Sequence, residues 1–150
     1  IRAIADSIAA GGETGMDLAV ELAEWVNRYI AEKTFSQGFG SALDVLYSRE
    51  GDCTEHSVLL ASVLRASDLP ARVASGLAYS NGQLVGHMWT EVYVDRWVTL
   101  DALDLSTAPI RIRLSVSRNQ RALGETDTAN AYSLVAGMKA FVRSHRPRPQ

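Results

Sequence analysis

Cysteine is nearly absent from this chain: 150 residues contain one, Cys53. A lone thiol excludes an internal disulfide framework and any zinc site built from several cysteines. It leaves Cys53 as either a small buried hydrophobe or a reactive group. Long apolar runs are missing too. No stretch approaches the roughly 20 residues of a membrane-spanning helix, and no basic-then-apolar leader opens the chain. Charge of one sign is scarce, with 15 Lys and Arg against 17 Asp and Glu and a formal net charge of −2. Nucleic acid therefore finds no broad basic field. The one basic cluster, Arg143, Arg146 and Arg148 around Pro147 and Pro149, reads as a solvated tail or linker over 143–150. The chain opens on Ile1 rather than Met, which leaves any preceding signal open. The compartment stays open with it: cytoplasmic, or periplasmic or secreted after removal of a signal.

What is present is ordinary globular material, 47% hydrophobic and 21% charged. A chain of this length buries roughly 70% of the surface its unfolded form exposes, enough for one core without metal or disulfide staples. We expect one domain over 1–142, with its core at about 16–116, and no internal repeat. Ile1 to Ala10 is helix-forming and stops at Gly11-Gly12. From Met16 to about Lys33, apolar residues recur at spacings of three and four and predict an amphipathic helix. Ser41 with Asp44 resembles the capped start of a short helix. The next helix should run from Cys53 to Ala66, apolar around most of its circumference and hence buried.

After Pro70 the texture changes. Short β-branched and aromatic runs over 71–79, 84–94 and 97–100, split by Asn81-Gly82 and Asp95-Arg96, predict antiparallel hairpins. Ile110 to Val116 alternates apolar residues with Arg111, Arg113 and Ser115, as a half-buried strand does. Tyr132 to Val142 fits a helix or a strand. The order, helices first and sheet after, is that of an α+β domain.

Within this frame Asp52 caps the helix and Glu55 reaches back to its amide, which makes Cys53 the first helical residue. Unpaired amides and the positive helix end favour a thiolate there, and the same amides can stabilise an oxyanion. A base is needed. His145 lies in the tail. His56 shares a helix face with Cys53 and reads as a packing residue. His87 stands on a strand whose polar-aromatic face also carries Trp89, Glu91 and Tyr93. Glu91 reads as a partner for a core polar group or for Arg72, ahead of a role as modulator of His87. Arg65, Arg72 and Tyr79 fit helix-end or strand-surface roles as well as substrate binding. Asp101 would orient the imidazole, provided the connection around Asp95 holds an odd number of residues or a bulge; a strict two-residue turn would present Asp104 instead. A metal site from Cys53, His56 and His87 lacks any close ligand pair, so no metal or cofactor is expected.

Four segments carry a resemblance: Gly51-Asp52-Cys53-Thr54-Glu55-His56, Leu64-Arg65-Ala66 with Leu69-Pro70-Ala71-Arg72, Gly86-His87-Met88-Trp89-Thr90-Glu91-Val92, and Trp97-Val98-Thr99-Leu100-Asp101. In order and spacing, over about 16–105, they resemble the core of the transglutaminase-like superfamily. The resemblance implies a papain-like α+β fold, N-terminal helices packed on an antiparallel sheet, with Cys53 as nucleophile, His87 as base and Asp101 as orienter. It also implies that Trp89 and Trp97 pack around the triad. Ala102 stands where the family usually has Pro. No glutamine lies just before Cys53; Gln37 is the nearest upstream, and the second oxyanion donor is unassigned. The implied activity is thiol-based acyl transfer on a protein or peptide substrate, as a protease or amidase with water as acceptor or a transglutaminase with an amine. The competing reading is a retired fold that binds peptides or serves as a structural module.

Overall fold

A computed structural model describes residues 1–34, 40–80, 82–105 and 110–117. The segment around Gln37, Asn81, the ambiguous element at 132–142 and the basic tail at 143–150 lie outside the described residues.

Four helices precede four strands: α1 (Arg2–Ala9), α2 (Gly15–Tyr29), α3 (Ala42–Ser48), α4 (Cys53–Ala66), β1 (Ala71–Ser80), β2 (Gln83–Val94), β3 (Arg96–Leu100) and β4 (Arg111–Val116). The strands form one antiparallel sheet in the order β3-β2-β1-β4. This is the α+β arrangement read from the sequence, with α4 packed on β1 and β2 and the other helices around it. None of the described helices is long and apolar enough to cross a membrane.

Helix α4 is buried on nearly every side because its apolar residues encircle it. Leu59, Leu60, Val63 and Leu64 are fully enclosed among Leu22 and Val26 of α2 and Val73 and Val92 of the sheet. Burying each such side chain contributes about 1.5–3 kcal/mol. Polar contacts fix the helix on the strand: Thr54 Oγ1 donates to Met88 Sδ at 3.4 Å and Thr90 Oγ1 donates to the Ser57 carbonyl at 3.1 Å. Met88, Thr90 and Val92 therefore face α4, and Trp89 and Glu91 take the other side of β2.

Two expectations need correction. Helix α2 ends at Tyr29 rather than near Lys33, because Ile30 turns extended and the next residues are captured from elsewhere. The Ala31 amide donates to the Arg49 carbonyl at 3.1 Å and the Gly51 amide to that of Glu32 at 3.0 Å. Strand β4 does not bury its apolar residues as the alternation implies, and Arg113 is exposed as well as Ile112. Ile110 and Ile112 are 72% and 44% exposed, while the Arg111 side chain is buried. The cause is close approach and register. Strand β4 pairs with β1 through a slip between Ser75 and Gly76. Gly76 allows it, since a Cβ there would stand 2.0 Å from the Ile112 carbonyl oxygen.

Candidate active site

The thiol sits where the local sequence puts it. Asp52 Oδ1 accepts from the Thr54 amide at 2.8 Å, and Glu55 Oε2 accepts from the Asp52 amide at 3.0 Å, a reciprocal cap that opens α4 at Cys53. Gly51 makes room for it. Its φ of 152° suits glycine, and a Cβ there would meet Glu55 Cβ at 2.3 Å. Glu55 is itself buried and accepts from the Gly40 amide at 3.5 Å. Burial raises its pKa, with the Asp52 amide opposing.

His87 precedes Met88, the residue in contact with Thr54, so β2 carries the imidazole past the mouth of α4. Nε2 lies 2.5 Å from Asp101 Oδ2. Burial alone would depress the imidazole pKa, but hydrogen bonds with Asp101 and with the Cys53 thiol outweigh it and raise the value to about 9. Cys53, His87 and Asp101, distant in sequence, are thus brought together.

Asp101 faces His87 because the β2–β3 connection closes on Asp95 alone, with Val94 paired to Arg96 and Thr90 to Leu100. Asp95 takes the left-handed conformation that so tight a reversal needs, at φ 59°. The odd count puts Asp101 across from Trp89, on the His87 face. Asp104 does not orient the imidazole; its amide instead donates to Asp101 Oδ1 at 3.2 Å, beside that of Leu103 at 3.0 Å. Asp101 is buried, which would raise its pKa, yet bonds from His87, Arg111 and the Asp104 amide hold it below the usual carboxylate value. Asn27 of α2 fastens the loop by donating to the Ala102 carbonyl at 2.7 Å.

His56 stays outside this chain of contacts. Its Nδ1 lies 2.7 Å from the Asp52 carbonyl, which can only accept, so Nδ1 carries the proton. Burial lowers its pKa, and Nε2 has no hydrogen-bond partner among the described residues. Glu91 pairs with Arg72 at 2.7 Å, one of the two partners read from sequence, and also with Arg113 at 2.8 Å. Trp89 is buried with its ring centroid 6.3 Å from that of His87. Trp97 does not pack around the site; it is half exposed beneath the Arg72 guanidinium, 3.8 Å from its ring centroid. Arg111 was missed. Two carboxylates on one buried sheet face require cations nearby, and the arginines of β4 were the available signal.

The family model for the transglutaminase-like superfamily matches residues 2–102. The chain belongs to the transglutaminase-like superfamily. Solved structures agree on the fold of this transglutaminase-like domain. A protein described as a putative cysteine protease from Cytophaga hutchinsonii superposes with a TM-score of 0.70 at 22% identity, over 81% of this chain and 44% of the other. The periplasmic domain of TgpA from Pseudomonas aeruginosa, bound to ethylmercury, gives 0.54 at 26%, over 67% and 42%. LapG of Legionella pneumophila gives 0.62 at 13%, over 87% and 81%. The chain thus spans less than half the length of the first two. A search of curated proteins finds no significant match.

Proposed function

We propose that this transglutaminase-like domain carries out thiol-dependent acyl transfer on amide or peptide substrates. The observation that carries the reading is one imidazole held by Asp101 at 2.5 Å, its pKa raised by that carboxylate and by the lone thiol at the mouth of α4. The Cys53 sulfur, its proton already carried by the His87 ring, attacks the amide carbon and the C=O electron pair moves onto oxygen. The Cys53 amide, at the first helical position and without an intrahelical acceptor, faces the developing oxyanion. The tetrahedral species collapses, the C–N bond breaks, and His87 passes its proton to the departing amine, leaving a thioester. Water then attacks the thioester carbon, His87 takes a water proton, and the C–S bond breaks to free Cys53 and the acid. An amine in place of water would give a new amide. We favour water, because it is always available and no amine pocket marks the site among the described residues. Asp101 holds Nε2, so that Nδ1 is the nitrogen left for the sulfur.

The test is turnover of amide and peptide libraries by the wild type and by Cys53→Ala, with mass spectrometry for a Cys53-bound acyl group. The wild type should hydrolyse and carry the adduct; Cys53→Ala should do neither while keeping its fold. Turnover that survives in Cys53→Ala overturns the proposal. Burial of Cys53, 9% exposed, favours a second reading, the retired fold that binds peptides. Failure of iodoacetamide to alkylate Cys53 below about pH 8.5, the ordinary thiol value, would decide for it.

A further inference from the structure

One buried cation touches the site without a part in the steps above. Arg111 lies on β4, beyond the residues that the family model matches. Its side chain is 9% exposed. Its Nη2 donates to Asp101 Oδ2 at 2.7 Å, the same oxygen that holds His87 Nε2 at 2.5 Å. The other oxygen is occupied by the amides of Leu103 and Asp104. A guanidinium and an imidazole thus share one oxygen atom. Arg111 Nε is buried with no hydrogen-bond partner among the described residues, where an unsatisfied donor costs about 1–3 kcal/mol.

We propose that Arg111 is a positioning residue that limits the hold of Asp101 on the His87 imidazolium, so that the ring can return its proton to the departing amine. The inference rests on the acyl-transfer reading. A bare carboxylate at this distance favours the imidazolium so strongly that the ring accepts a proton readily and surrenders it poorly, which impairs general-acid catalysis. The guanidinium keeps its charge at every working pH and supplies a constant opposing field. Other groups around Asp101 are differently engaged. Glu24 of α2 and Asp104 line a pocket of about 180 Å³ with Asp101 and Arg111. Glu24 accepts from Arg28. Lys33 donates to the Leu103 carbonyl. His56 of α4 is held low in pKa by burial. On the far side of Trp89, Glu91 is closed off by Arg72 and Arg113. Besides Asp101, Cys53 is the group that raises the pKa of the ring.

The experiment compares the wild type with Arg111→Met, Arg111→Gln and Arg111→Lys. His87 is titrated by NMR, and turnover is measured on an amide and on an activated ester of the same acyl group. In both neutral variants the titration midpoint should rise by about one pH unit. Amide turnover should fall by about tenfold or more, with the ester, whose leaving group needs no proton, much less affected. Arg111→Lys should recover part of both. A wild type that turns over, with the midpoint unmoved in a folded neutral variant, overturns the role of Arg111 alone. So does loss of fold in both neutral variants when Arg111→Lys folds. A wild type without Cys53-dependent turnover overturns the reading beneath it and the proposal together.

Discussion

His87 Nε2 and Asp101 Oδ2 meet at 2.5 Å because β3 turns back from β2 on a single residue. One residue more in that reversal would place the carboxylate on the α4 side of the sheet and leave the imidazole without it.

That contact sets a pH dependence of stability. Burial lowers the His87 pKa, the bonds to Asp101 and Cys53 raise it more, and the folded value stands at about 9 against an ordinary 6.5. A raised folded value stabilises fully below 6.5, and the contribution is lost as pH climbs through about 9. Urea unfolding should show wild-type stability falling by roughly 2–3 kcal/mol across that interval. His87→Gln should remove the fall. An equal decline in the variant would contradict the assignment.

Gly51→Ala should damage fold and thiol together. The new methyl would clash with Glu55 Cβ and the backbone would have to leave φ 152°. We expect a loss of about 2–4 kcal/mol, read from urea midpoints. Alkylation of Cys53 by iodoacetamide at neutral pH should slow, because the cap that orders the first turn of α4 is disturbed.

Glu91→Gln should separate stability from chemistry. The carboxylate side chain, 7% exposed, answers two arginines. Without its charge, Arg72 and Arg113 lose their partner at a cost of about 2–3 kcal/mol. Cys53 alkylation should proceed at the wild-type rate, since Glu91 contacts neither Cys53 nor His87 among the described residues. A marked change in that rate would make Glu91 part of the site.

What was legible in the sequence follows from how local each signal is. The start of α4 could be read because Asp52 and Glu55 cap each other within one turn. The faces of His87, Trp89 and Glu91 follow from strand period alone. The side taken by Asp101 depended on turn parity, which the left-handed Asp95 settles and which composition narrows only to odd or even. The end of α2 was not legible, since Ala31 and Glu32 are drawn off by Arg49 and Gly51 across the chain. Nor was the burial along β4, where Ile112 stays exposed and the Arg111 side chain is covered beside Asp101. Trp97 fits the motif, yet the arginine of β1 holds it at the surface.

Cys53 on α4, His87 on β2 and Asp101 just past β3 leave the ribosome in that order, with Arg111 later still. A nascent or partly opened polypeptide therefore holds a sulfhydryl with no base beside it. Any hydrolytic power at this centre would be switched on by docking of the sheet against α4, which spares the chain's own backbone, and its neighbours', during synthesis.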